Sequence, residues 1–247
     1  MKIKNVLISQ PKPADVEKSP YYLLASKHKV NIDFRKFITI EGVSAVDFRK
    51  DKVNILDHTA VIFTSRNAID HYFRMAKDMR QGIPDTMKYF CVSEAIAYYL
   101  QKYVTYRKRK IFYGRGNFSG LLEIIQKHKT ENFLMPCSDD YKQELPSILE
   151  ENDIKFSKAI IYKTLASDLS DLNINNYDML IFFSPTGVDS LFKNFPDYQQ
   201  GETIIACFGP TTAQAVVDAG LRLDVKAPTK TAPSMTMALE EFIQQNS

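Results

Sequence analysis

Four short segments place small hydroxyl, glycine or proline residues where an apolar run gives way to an amphipathic one. They are Thr64-Ser65, Ser93, Ser184-Pro185 and Gly209-Pro210-Thr211-Thr212. Each reads as a turn from a strand into a helix. Ser65, Ser93 and Ser184 suit the N-cap, where a hydroxyl accepts an otherwise unpaired backbone N–H. Pro185 and Pro210 suit the first helical position, where a missing N–H costs nothing. A helix start offers free N–H groups and a partial positive charge, so it attracts anions. Taken singly, each turn reads as an ordinary cap. Four of them in one chain suggest a cleft that receives a ligand with several anionic groups, beyond the carboxyl ends of parallel strands.

Other chemistries leave weaker traces. Cys91, Cys137 and Cys207 form an odd set without CxxC spacing, which signals neither a disulfide framework nor a zinc site. His28, His58, His71 and His128 include no i,i+4 pair on one helix, and no HExxH occurs, so a protein-bound metal is not expected. The glycines at 114, 116 and 120 are spaced one residue too widely for a dinucleotide fingerprint, and no GxxxxGK[ST] loop exists. The basic run 107–110 reads as a solvated turn before a strand. The Lys-His-Lys triplets at 27–29 and 127–129 read as exposed helix ends. Asp139-Asp140 reads as a solvated loop.

The elements that must position the hydroxyl turns are legible as a repeat. Residues 61–73 (VIFTSRNAIDHYF) and 180–192 (LIFFSPTGVDSLF) align without gaps and share Ile, Phe, Ser, Asp and Phe. Residues 91–97 and 207–213 form a second matching pair in the same order. Residues 6–8 and 37–40, with a helical stretch between, echo 133–135 and 159–162. The simplest account is a duplicated unit of alternating strands and helices, with parallel sheets covered on both faces. Short apolar runs predict buried strands at 5–9, 60–64, 89–92, 110–113, 132–136, 179–183 and 203–208. Periodicity predicts helices at 68–79, 95–102, 121–128, 144–151 and 212–219. The stretches 33–41 and 157–164 alternate polar and apolar residues, which suits exposed, paired strands that connect two domains.

Composition bounds the rest. The chain has 247 residues, 45% hydrophobic and 25% charged, enough to bury a core. A net charge of +3 is too balanced for a general nucleic-acid binder. The N-terminal apolar run at 6–8 is too short for a signal-peptide core, and no stretch approaches a membrane span of about 18 apolar residues. A cytoplasmic address, no membrane association and no nucleic-acid partner are expected. Nor does any long apolar stripe demand a second copy, so a monomer is expected.

The order and spacing of several motifs resemble the uroporphyrinogen-III synthase family of the tetrapyrrole (haem) pathway. The carriers are FTSRNA at 63–68, IYKT at 161–164, FFSPTG at 182–187 and FGPTTA at 208–213. The closing APT at 227–229 and PSMTMAL at 233–239 join them. The resemblance covers nearly the whole chain. It implies an α/β fold of two similar doubly wound parallel-sheet domains joined by a two-stranded linker, the first domain discontinuous. Domain 1 would span 1–34 and 170–247, domain 2 would span 42–157, and 35–41 with 158–169 would be the linker strands.

The resemblance further implies a substrate, hydroxymethylbilane, a linear tetrapyrrole with eight carboxylates, held in the cleft between the domains. The reaction would expel the terminal hydroxyl, invert ring D through a spiro intermediate and close the macrocycle, without cofactor or metal. Tyr162 of the Y-x-T motif would be the acid for the leaving hydroxyl. Thr64, Ser65, Ser93, Ser184, Thr211 and Thr212 would bind carboxylates. The chain departs from the family pattern at Gln10, where arginine is common, at Ile96, where threonine is common, and at Lys142, where many members have arginine.

Two readings of other classes compete. One is a non-enzymatic two-lobed binding protein or sensor for a polyanionic ligand, which would need no acid facing its cleft. The other is nucleic-acid binding through residues 107–110, which would show as steep salt dependence.

Overall fold

A computed structural model describes residues 3–115, 118–141 and 144–246. The strands are β1 (Asn5–Ile8), β2 (Asn31–Phe34), β3 (Ile38–Gly42), β4 (Ala60–Phe63), β5 (Lys88–Cys91), β6 (Ile111–Tyr113), β7 (Phe133–Ser138), β8 (Phe156–Ala166), β9 (Met179–Phe182), β10 (Ile204–Phe208) and β11 (Val225–Ala227). The helices are α1 (Pro20–His28), α2 (Ala45–Lys50), α3 (Arg66–Asp78), α4 (Glu94–Leu100), α5 (Phe118–Gln126), α6 (Glu144–Glu151), α7 (Pro185–Asn194), α8 (Pro210–Asp218) and α9 (Met235–Gln245). The fold is α/β with parallel sheets. The chain divides into two compact units, one of Met1–Thr39 with Leu165–Ser247 and one of Ile40–Thr164.

Each unit is built around one sheet. The first has the order β11-β10-β9-β1-β2 and the second β3-β8-β7-β4-β5-β6. Leaving β3 aside, the two orders are the same, with β4, β5, β6, β7 and β8 in the places of β9, β10, β11, β1 and β2. That equivalence follows three of the sequence echoes, β4 with β9, β5 with β10 and β7 with β1; the fourth is corrected, because 37–40 runs into β3 and the counterpart of β8 is β2. The central strands are fully buried apolar runs, AVIF in β4 and MLIF in β9. Such runs need cover on both faces. In the second unit Val61 and Phe63 pack with α3 and α4, while Ala60 and Ile62 pack with α5 and α6. In the first unit Leu7 packs with α7 and α8, while Val6 and Ile8 pack with α1 and α9.

Two further expectations are corrected. The stretch 33–41 is not one exposed strand: Asp33 and Phe34 end β2, and β3 begins at Ile38. Between them Phe37 is buried, edge-on to Phe182 at 5.8 Å. Its carbonyl accepts the Ser190 hydroxyl at 2.6 Å and the Ser167 N–H at 2.9 Å. Burying that ring draws the chain out of the line of β2. The stretch 157–164 is not exposed either, because β8 pairs in parallel with β7 and buries Ala159, Ile161 and Tyr162. Val43 N–H donates to Ile161 and Ser167 N–H to Phe37, so β3 and β8 run antiparallel.

Candidate active site around Tyr162

In an open α/β sheet, loops after neighbouring strands diverge to opposite faces where the strand order reverses, and a crevice opens there. In the second unit that point lies between β4 and β7. The chain leaves β4 through Thr64 and Ser65 into α3 on one face, and leaves β7 through Asp139 and Asp140 towards α6 on the other. Tyr162 lies beside this crevice. The register of β7 against β8 slips between Cys137, which faces Ile160, and Ser138, which faces Tyr162. Such a bulge re-aims a side chain, and here it sets Tyr162 opposite the last residue of β7.

The phenol has two hydroxyl neighbours, Ser65 and Ser138. Its oxygen stands 3.4 Å from Ser65 Oγ, and Ser138 sits opposite it in the strand pairing, its hydroxyl acting on the phenol electrostatically. Ser138 in turn donates to the Asp140 carboxylate. Thr164 Oγ1 stands 3.5 Å from that same carboxylate, and Thr164 N–H donates to Asp139 at 3.2 Å. Tyr162 is only 6% exposed. Burial raises its pKa, the Ser65 and Ser138 hydroxyls oppose that rise, and Cys137 and Asp140 add to it. The net shift is upward, so the phenol holds its proton at neutral pH and is a donor. On its ring face lies the His71 imidazole, centroids 5.1 Å apart and planes 23° apart.

The expected caps form. Ser65 Oγ accepts from Ala68 N–H at 3.0 Å, Ser93 Oγ from Ile96 N–H at 3.4 Å and Ser184 Oγ from Gly187 N–H at 3.1 Å. Thr64, Ser65, Ser93 and Ser184 are half-buried. The fourth turn differs. Gly209 caps α8 without a side-chain bond, at a φ of 92° that favours glycine. Thr211 is exposed, whereas Thr212 is 2% exposed and packs inward. In the first unit the strand order reverses between β1 and β9. There Ser184 follows β9, and a Cβ on Gly187 would stand 3.3 Å from Ser184 Oγ and 3.8 Å from Ser9 Oγ.

The sequence reading missed Ser138, Asp140, His71 and Arg74. Asp139 and Asp140 are exposed as expected, yet Asp139 N–H donates to the Tyr162 carbonyl at 3.2 Å and Asp140 accepts from Ser138. The signal for Ser138 was a hydroxyl ending a buried strand, the same signal used for the other turns. Gln10 lies in the bend after β1, and Ile96 is half-buried in the first turn of α4. Lys142 lies outside the described residues, as do Gly116 and Asn117 of the glycine-rich turn before α5. The Lys-His-Lys triplets do sit at the ends of α1 and α5, but His28 and His128 are half-buried rather than exposed.

At the opposite, amino end of the same sheet, a cavity of about 370 Å³ is lined by Phe73, Tyr89, Tyr103, Arg107 and Lys110, among others. Arg107 stands 3.9 Å from Asp85. Among the described residues no group of three or more His, Cys, Asp or Glu could hold a metal ion. None of the helices there is long and apolar enough to cross a membrane.

A family model described as uroporphyrinogen-III synthase HemD matches residues 30–237. The chain belongs to the uroporphyrinogen-III synthase family. It is an enzyme of tetrapyrrole biosynthesis, a cyclising hydro-lyase. The fold is similar to that of uroporphyrinogen-III synthetase from Helicobacter pylori, at 16% identity and a TM-score of 0.61, covering 98% of this chain and 100% of that one. It is also similar to a mutant uroporphyrinogen III synthase from Thermus thermophilus, at 16% identity and a TM-score of 0.59, covering 98% and 99%. No curated protein matches the chain by sequence.

Proposed function

We propose that this member of the uroporphyrinogen-III synthase family takes hydroxymethylbilane and closes it to uroporphyrinogen III with inversion of ring D. The observation that carries this reading is the buried phenol of Tyr162 at the carboxyl end of the sheet, 3.4 Å from Ser65 Oγ and opposite Ser138 in the strand pairing. In the proposed reaction the phenol gives its proton to the leaving hydroxyl, which departs as water. The pyrrole nitrogens supply the electrons for that departure. The proton that ring D releases on closure balances the one the phenol gave. With the acid fixed in place, much of the remaining rate comes from folding the chain so that the correct ring D carbon is attacked.

Carboxylates of the substrate are proposed to rest on the helix starts. Thr64 and Ser65 open α3, Ser93 opens α4, Ser184 opens α7 and Thr211 opens α8. Each offers a hydroxyl beside unpaired backbone N–H groups. Thr212 supports the last of these by packing, while the exposed Thr211 makes the contact. The two compact units are proposed to be two domains, the first discontinuous, joined by β3 and β8 as linker strands. A monomer in the cytoplasm, without cofactor, completes the proposal.

The test is an isomer assay. Purified protein with hydroxymethylbilane should yield mainly the type III isomer. Recovery of only the spontaneous type I isomer would overturn the reading and leave a non-enzymatic binder of polyanions.

A further inference from the structure

We propose that His71 and Arg74 are positioning residues that hold the Tyr162 ring in its reactive orientation, and that the bare backbone of Gly42 is what lets Arg74 do so. The proposal rests on the reading of Tyr162 as the acid.

A hydroxyl contact of 3.4 Å at the tip of a phenol does not by itself fix the plane of the ring. The second constraint comes from the helix that Ser65 caps. His71 stands on α3 six residues after Ser65 and lays its imidazole on the face of Tyr162, centroids 5.1 Å apart. Helix α3 thereby touches the phenol at tip and face. The imidazole is itself held. Arg74 Nε donates to His71 Nδ1 at 3.1 Å, which fixes the plane of the imidazole and leaves its proton on Nε2. Burial and the Arg74 charge both lower the His71 pKa, against the weaker pull of Asp70, so the ring stays neutral and keeps Nδ1 free to accept.

The other arms of the guanidinium reach backbone. Nη2 donates to the Val43 carbonyl at 2.9 Å and to the Ile161 carbonyl at 3.1 Å. Ile161 is the residue before Tyr162, so Arg74 ties α3 to β8 directly behind the phenol. Nη1 pairs with Asp78 at 2.8 Å. A planar fork of donors can serve three directions at once, whereas a lysine ammonium on a flexible stem cannot hold that geometry. The guanidinium lies against Gly42: a Cβ there would stand 2.8 Å from Arg74 Cζ, Nε and Nη2. A Cβ at 42 therefore forces the guanidinium away from this position. A displacement of about 1 Å at a catalytic group can cost as much as 100-fold in rate, so these contacts have catalytic weight although none of them reaches substrate.

The experiment is a double-mutant cycle on turnover of hydroxymethylbilane, read as initial rates of type III product. His71→Ala should lower kcat about tenfold with KM changed by less than about twofold, and should cause no further loss in a Tyr162→Phe background. His71→Phe, which keeps a flat ring on the phenol, should return kcat to within about threefold of wild type. Gly42→Ala, which alters neither side chain, should fall on the same side as His71→Ala and carries the test if His71→Ala does not fold. Losses that multiply in the double variant would overturn the proposal, because a general structural defect multiplies. A Tyr162→Phe enzyme with wild-type turnover would instead overturn the acid role itself, and the positioning role with it.

Discussion

Ser65 Oγ accepts the Ala68 N–H at 3.0 Å and stands 3.4 Å from the Tyr162 hydroxyl. One side chain thus caps α3 and faces the phenol. Helix start and phenol are coupled, and a change at either is felt at both.

Tyr162→Phe removes the proton donor and keeps the ring. Turnover should fall on the order of 100-fold, the lower end for loss of a general acid. The thermal midpoint should move by no more than about 2 °C, because the lost contact is a long one. The sign of the pH effect follows from the upward shift of the phenol. A general acid works while protonated, so wild-type kcat should show no loss assignable to Tyr162 up to its ordinary value of 10.0, and should fall only above it. The Phe variant should lack that alkaline fall. Rate profiles of the two enzymes check this.

Ser65→Ala should cost about 1 kcal/mol of stability through the lost cap. It should also lower turnover, because the phenol loses a partner. Ser93→Ala should cost less, since its cap bond is 3.4 Å long against 3.0 Å. Urea titration of both variants gives the comparison. Equal losses would show that cap geometry does not set the cost.

Asp70 ties α3 to α4 and the turn after it. Tyr99 donates to it at 2.8 Å, Tyr103 at 2.5 Å and Lys102 at 3.3 Å. Burial raises its pKa, but these donors outweigh burial and hold it below its ordinary value. A carboxylate depressed on folding adds stability that is complete above its unfolded value and lost as pH falls through the folded one. Asp70→Asn should therefore destabilise the protein at pH 7 by roughly 1–2 kcal/mol, modest because the carboxylate is partly exposed. The gap between variant and wild type should close in acid, below about pH 4. Denaturation midpoints at pH 7 and at pH 3 measure it.

All three cysteines are buried and free. Burial pushes the Cys91 thiol up to about 12 and the Cys137 thiol up to about 11, and raises Cys207. A thiol reacts as thiolate, so native protein should resist alkylation at pH 8. Urea-unfolded protein should take up three labels. The linked stability is present below the unfolded thiol value of about 8.5 and lost as pH rises towards the folded values. Mass spectrometry of labelled samples counts the thiols. Rapid labelling of the native state would contradict the burial.

What could be read in the sequence was local. A cap joins a residue to one three positions on, and its signature is a serine before an amphipathic run. Ser65, Ser93 and Ser184 were legible for that reason. The buried strands were legible because AVIF and MLIF leave no polar face for water. The repeat of these units, and with it the α/β class, needed only their order. At the fourth turn the same local reasoning found Thr211 and Thr212 but not which one faces outward, since that depends on what α8 packs against.

Contacts that span the chain were decided by the tertiary structure. Ser65 and Tyr162 lie 97 residues apart, and they meet because β8 pairs with β7 and β7 with β4. Nothing near Tyr162 in the sequence announces Ser138 or His71. The register slip after Cys137 sets one opposite it, and the docking of α3 lays the other on its face. Gly42 is a plain strand glycine until Arg74 crosses it. The sequence by itself determined the buried central strands, the serine caps and the family resemblance, because those depend on neighbours along the chain. Which hydroxyls surround the phenol depended on strand order and register, which are set by the packing of the whole sheet.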